Sequence, residues 1–174
     1  MQFNHDNMTG PQLAAELVNL VASGRWTIEL AQVILGDHQI RRASLTETVD
    51  VLLQAWAVRL RSAFAAADVE SRCAAINELL EEGAARAYLT THDRLRPHLH
   101  FAAENDDVVA RVKAVTAGGL AIFTVESEGG RLGVCAKVGC EIAFVDTSRN
   151  GLRAYCSARC GNSDAVRRHR GQIS

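Results

Sequence analysis

The 174-residue chain is expected to be an α+β protein: a mostly helical N-terminal domain with a few short antiparallel strands, then a small cysteine-rich module. Three observations predict this. Apolar residues recur at helical spacing over long stretches before residue 124. Short broken runs around Tyr88 and Leu99 read as extended chain. Four of the five cysteines crowd into residues 135–160.

Pro11 to Ala22 places Leu13, Leu17, Leu20 and Val21 on one helical face, with Pro11 acceptable in a first turn. The apolar run from Trp26 to Leu35 fits either a strand or a short helix. Ser44 to Ala67 is the clearest helix, striped by Leu45, Val49, Leu52, Leu53, Trp56, Leu60 and Phe64. Ser44 and Glu47 make a capping box at its start. A second helix from Val69 to Gly83 is expected to turn Cys73, Ile76, Leu79 and Leu80 inward and to stop at Gly83. Two short antiparallel strands follow within Arg86 to Ala103, interrupted by Asp93 and Pro97. A further helix from about Asn105 to Phe123 has its end weakened by Gly118 and Gly119. Ser127-Glu128-Gly129-Gly130 is a turn or linker, which divides residues 1–130 from 131–174.

The bulk composition narrows the function. Apolar residues form 48% of the chain, enough for a core, but aromatics only 5%, so Leu, Ala and Val must fill it. No unbroken apolar run of about 18 residues is present, and no membrane span is expected. Met1 to Gly10 is polar and lacks a signal-peptide pattern, so a cytoplasmic protein is expected. The net charge of −1 hides an asymmetry: residues 131–174 hold eight Lys/Arg against three Asp/Glu, while residues 1–130 hold eleven against seventeen. A +5 tail on a −6 body suits a polyanionic partner, though a solvated helix end gives the same pattern. GxSxG, Walker, GxGxxG and HExxH motifs are absent, and no enzyme is expected.

The cysteine spacing is the sharpest signal. Cys135 and Cys140 form C-x4-C, fifteen residues follow, and Cys156 and Cys160 form C-x3-C. Two close thiolate pairs joined by a loop can surround one Zn2+ tetrahedrally at about 2.3 Å. Gly139 suits the tight knuckle between the first pair. Ser157 is a good N-cap, placing Cys156 just before a helix and Cys160 in its first turn. Ile142 to Val145 and Leu152 to Tyr155 read as strands around a turn at Asp146 to Gly151. Knuckle, hairpin and helix make a treble-clef-like zinc finger. Disulfides would need an oxidising compartment, and iron–sulfur clusters usually show other spacings. So small a module needs its metal to fold, and chelation is expected to unfold residues 131–174 only.

These residues resemble the CGNR zinc finger. That family shows phenylalanine-x-aspartate-x-serine between the cysteine pairs, an arginine-rich turn, an aromatic before the third cysteine, and Cys-Gly-Asn-Arg. This chain has Phe144, Asp146, Ser148, Arg149, Arg153, Tyr155, Cys156 and Cys160-Gly161-Asn162. The body resembles the ABATE domain that accompanies this finger, by helix pattern and by Ala75-Ile76-Asn77-Glu78-Leu79-Leu80. The resemblance implies a bacterial, stress-linked transcription regulator whose finger contacts DNA. Two positions depart from the family: its final arginine is Ser163 here, and its arginine pair before the aromatic is Arg153-Ala154.

The candidate DNA contacts are Arg149, Arg153, Arg159, Arg167, Arg168 and Arg170. Arginine pairs bidentately with phosphate or guanine. The bland reading is that Arg167, Arg168 and Arg170 complement a helix dipole, and that Arg149 or Arg153 pairs with Asp146. If about five arginines reach phosphates, the log–log salt slope is near −4 to −5. A single finger has a small footprint, so a homodimer is expected, with the body as dimerisation or small-molecule effector domain. The rival is a zinc-stabilised adaptor that binds protein or RNA. His98 and His100 share a strand face and, with His92, could hold a ligand, but ordinary surface or core histidine is the simpler reading.

Overall fold

A computed structural model describes residues 5–40, 45–83, 87–90, 98–101 and 106–171. The α+β expectation holds. Among the described residues the order is α1 (His5–Ala22), α2 (Ile28–Asp37), α3 (Glu47–Ala65), α4 (Val69–Gly83), β1 (Tyr88–Thr90), β2 (His98–His100), α5 (Val108–Glu126), β3 (Leu132–Val134), β4 (Ala143–Val145) and α6 (Ala158–Gly171). Helices α1, α3, α4 and α5 pack together, α2 lies on α1, and the β3–β4 hairpin lies on α1 and α3.

The ambiguous run after Trp26 is a helix. Thr27 caps it, its hydroxyl accepting from the Leu30 amide at 3.2 Å, and a helical phase buries Ala31 and Leu35. The cap of α3 is Thr46, which accepts from the Val49 amide; Ser44 lies outside the described residues. Pro11 is inside α1 rather than in its first turn, since the helix begins at His5. Beside Pro11, α1 crosses α5 closely. A Cβ on Gly10 would meet the Val115 carbonyl oxygen at 2.5 Å, and one on Gly119 would meet the Gly10 Cα at 2.6 Å. Gly118 and Gly119 therefore do not end α5. Gly119 is its crossing point with α1, Gly118 lies against the Phe101 ring, and the helix runs on to Glu126. Helix propensity predicts a weak end there, but close packing outweighs the roughly 1 kcal/mol cost of each glycine.

Helix α5 has the length and apolarity of a membrane span, with a mean hydropathy of 1.6 over its most apolar window. In the fold this apolarity is spent on the bundle: Val112, Ala114, Ala117, Leu120 and Phe123 are all fully buried. Trp56 lies against it, donating from Nε1 to Thr116 Oγ1 at 2.9 Å, while Thr116 returns its own proton to the Val112 carbonyl. The single polar group of that aromatic is thus satisfied in the core.

Helix α4 departs from expectation by one residue. Cys73 is exposed, and Arg72 is buried with Ile76 and Leu79. Its guanidinium donates from Nε to Ala63 O, from Nη1 to Gly129 O, and from Nη2 to Ala66 O and Leu132 O. No carboxylate is among these partners; the cation sits where α3 and the segment after α5 end and their carbonyls are unpaired. Helix α4 ends at Gly83 as expected, and Gly83 is also a close approach, since a Cβ there would meet the Lys113 carbonyl at 3.0 Å.

Strands β1 and β2 pair antiparallel in register Tyr88↔His100, Leu89↔Leu99 and Thr90↔His98, as expected for that region. His92, and the side chains of His98 and His100, lie outside what is described. The segment 127–130 is a tight turn rather than a free linker: Glu128 and Gly129 have φ of 53° and 82°, and Arg72 grips the Gly129 carbonyl. The core continues beyond it, for Leu132 and Ala143 are buried in the same cluster as Leu17, Trp56 and Leu60.

Candidate metal centre and basic helix

The finger is built on a hairpin with two different faces. Strands β3 and β4 pair in register Leu132↔Val145, Gly133↔Phe144 and Val134↔Ala143. Leu132, Val134, Ala143 and Val145 join the bundle core, so by the two-residue alternation of a strand Phe144 points the other way. It lies across Gly133, where an added Cβ would be 3.0 Å from the ring. Asn19 of α1 seals the hairpin edge as a strand would, its amide donating to Ala143 O at 2.9 Å and its carbonyl accepting from Ala143 N at 2.7 Å. Arg61 of α3 adds an ion pair to Glu141.

This pairing corrects the expected hairpin. Leu152 to Tyr155 is not a strand; β4 pairs with Leu132–Val134 instead, on the other side of the first cysteine pair. The segment from Leu152 still touches the knuckle, because the Ala136 amide donates to Ala154 O at 2.9 Å. It is held in irregular form by Asp146, which is buried and accepts from the amides of Ser148 at 2.8 Å and Arg153 at 2.9 Å. Burial opposes the Asp146 charge, but the Ser148 hydroxyl, these amides and Arg131 outweigh it and hold the carboxyl below its ordinary range.

The four cysteines converge. Cys135 follows β3 and donates its amide to Ile142 O at 2.9 Å, while Cys140 closes a turn onto Lys137 O at 3.0 Å with Gly139 at φ 76°. Cys156 precedes α6, and Ser157 caps that helix by accepting from the Cys160 amide at 3.2 Å. All four are free thiols whose sulfurs lie within 4.8 Å of one another. Three of the separations are 3.8 Å for Cys140–Cys156, 3.5 Å for Cys156–Cys160 and 3.9 Å for Cys140–Cys160. A tetrahedron of thiolates at the zinc bond length has sulfurs about 3.8 Å apart. The cluster therefore fits one four-coordinate ion and leaves no room for a multi-iron cluster.

Without an ion the thiols compete for protons. Burial and the neighbouring thiols Cys160, Cys135 and Cys140 push Cys156 up to about 12. Burial also raises Cys135, but hydrogen bonds from the Cys156 and Lys137 backbone outweigh it and bring that thiol down to about 7. A divalent cation removes the conflict by ionising all four.

The six arginines named from sequence separate into distinct roles. Arg153 braces the finger from inside: Nε donates to Tyr155 O at 2.8 Å, Nη2 to Cys156 O, and the guanidinium stacks 4.9 Å from the Phe144 ring centroid. Arg167 and Arg168 both reach Asp164, at 2.8 Å and 3.2 Å. Asp164 is buried and also accepts from Tyr155 Oη at 2.9 Å. The Arg167 and Tyr155 hydrogen bonds keep its carboxyl below the ordinary range. Arg149, Arg159 and Arg170 are exposed. The Asp146 and Asp164 anchors were missed from sequence. The phenylalanine-x-aspartate-x-serine motif held the signal for the first, since Phe144 carries Arg153, and Asp146 and Ser148 close the turn.

These features define a knuckle, hairpin and helix gathered round a four-thiol metal site. Residues 131–172 match the family model of the CGNR zinc finger. The match covers the C-terminal quarter of the chain and agrees with the CGNR finger resemblance drawn from its motifs. No curated protein matches the chain.

Proposed function

We propose that the protein is a zinc-dependent DNA-binding transcription regulator of the bacterial cytoplasm, without catalytic activity. The observation that carries this reading is the state of α6. The metal cluster fixes its first turn, the Asp164–Tyr155 contact fixes its back, and its other side exposes Arg159, Arg167 and Arg170. A short basic helix held rigidly at one end is what a phosphate-lined groove accepts. Zinc is the ion we assign, because four thiolates at this spacing close a structural shell. That closed shell also supports a non-catalytic role.

Arg153 is committed to the finger's own backbone, and Arg167 and Arg168 are paired with Asp164, so the salt response should come from about three cations, Arg149, Arg159 and Arg170. The expected log–log slope of duplex affinity against salt is about −2 to −3, and Arg159→Ala should lower its magnitude by about 1. Electrophoretic shifts at several salt concentrations read this. No shift at low salt, with capture of a protein or RNA partner instead, favours the adaptor reading and sinks the DNA one. Arg153→Ala is a folding variant in this scheme, not a DNA-contact control.

The dimerisation role of the body is supported by an exposed apolar strip on α3, where Val51, Leu52 and Val58 are 63%, 48% and 58% exposed. Two copies would present two fingers and double a footprint that is small for one module. The effector-sensing role rests on the ABATE resemblance.

A further inference from the structure

We infer that α6 reads the major groove through one face, formed by Arg159, Asn162, Ser163, Val166 and Arg170, and that Asn162 selects an adenine within the bound sequence. This rests on the DNA-binding reading above and adds which residues read bases. At 100° per residue these five positions fall within an arc of about 100°. Asn162, Ser163, Val166, Arg167 and Arg170 also line one shallow surface depression. The opposite side of the helix is packed: Asp164 is buried, Cys160 is in the metal cluster, and a Cβ on Gly161 would meet the Tyr155 ring at 3.3 Å. Front and back of α6 are therefore assigned by packing.

The chemistry of the face matches base edges. Asn162 and Ser163 are exposed, and neither makes a hydrogen bond through its side chain among the described residues. An asparagine amide offers a donor beside an acceptor, which complements adenine N6 and N7 in the major groove. Val166, one turn on, is 51% exposed among polar and basic neighbours, where an apolar group complements the thymine methyl. Arg159 and Arg170 supply the charge that brings a polyanion to this surface, with Arg167 on its edge. Helix α6 has no Phe, Tyr or Trp, and Tyr155 is turned to Asp164, so His169 is the one aromatic ring that α6 offers for stacking single-stranded bases, less than the several such platforms usually needed. A helix about 10–12 Å across fits a groove about 12 Å wide. Arg168 lies on the Asp164 side and takes no part in reading. Ser163, standing where the family has arginine, leaves the face open for Asn162 to approach a base.

The test is selection of bound sequences from a randomised duplex library, using the intact zinc-loaded chain, Asn162→Ala and Arg168→Ala. The exposed position of Asn162 leaves folding unaffected, which circular dichroism checks. The intact chain should prefer adenine at one position by roughly five- to 150-fold, the discrimination of one good bidentate pair. Asn162→Ala should lose that preference while still binding duplex with an unchanged salt slope, and Arg168→Ala should keep it. Duplex binding without base preference, or a preference that survives Asn162→Ala, overturns this inference and leaves the DNA-binding reading standing. Failure to bind any duplex at low salt overturns both.

Discussion

Removing the metal should melt α6 and the loop before it while leaving the bundle and the β3–β4 hairpin folded. The reason is the distribution of buried apolar groups. Leu132, Ala143 and Phe144 are buried, and the hairpin is sealed by Asn19 and Arg61. A buried leucine contributes about 2 kcal/mol, and each hydrogen bond about 1 kcal/mol more. From residue 146 onward, by contrast, the only buried side chains described are Asp146 and Asp164. No buried apolar side chain anchors α6, and an isolated 14-residue helix is marginal in water. Its folding energy must come from the ion, for which zinc-finger peptides show roughly 10–16 kcal/mol. The metal-dependent part therefore begins near residue 146, later than the 131 expected from the sequence. Segment-resolved hydrogen exchange with and without chelator reads the boundary. Cys160→Ser should mimic chelation. Continued protection of α6 in either case would show that the ion is not what folds it.

Arg72→Met should destabilise the whole chain by about 3–5 kcal/mol, as much as truncating a large core aromatic. The substitution keeps the apolar stem but removes every donor from four carbonyls, those of Ala63, Ala66, Gly129 and Leu132. Hydrogen bonds to a charged donor contribute about 1.5–3 kcal/mol each, and buried acceptors left alone cost about 1–3 kcal/mol, with partial relief from water. Burial pulls the guanidinium pKa below its ordinary value, but the group remains charged across any accessible pH. Arg72→Lys should recover only part of the loss, because a point charge cannot serve four carbonyls spread over two segments. Urea denaturation measures both. A loss below about 1 kcal/mol for the Met variant would mean that these carbonyls find water easily and that the brace is dispensable.

What the sequence revealed follows from how local each signal is. The thiol pairs, the Ser157 cap and the strands around Tyr88 and Leu99 depend on neighbours a few residues away, and they were legible. Arg72 was not: its partners are backbone carbonyls of two segments, the end of α3 and residues 129–132, the second about sixty residues away, and the apolar pattern favoured Cys73 one position on. Composition marked Gly118 and Gly119 as a weak point, while the use of Gly118 depends on Phe101 and that of Gly119 on Gly10, more than a hundred residues earlier. The partner of β4 was misassigned for the same reason. Leu152 to Tyr155 and Leu132–Val134 are both short and apolar, and what decides between them is Gly133, which leaves room for Phe144, and Asp146, which binds the Arg153 amide. The arginines looked equivalent in sequence, but Phe144 and Asp164 divide them into internal braces and exposed cations.

The claim on which the rest depends is that Cys135, Cys140, Cys156 and Cys160 hold one zinc ion and thereby fix α6. X-ray absorption at the zinc edge, on intact protein with its metal content determined, tests it most directly. The expected result is one zinc per chain in a shell of four sulfurs at about 2.3 Å with no nitrogen or oxygen neighbour. A shell containing nitrogen or oxygen, or a chain that folds α6 with no metal bound, would contradict it.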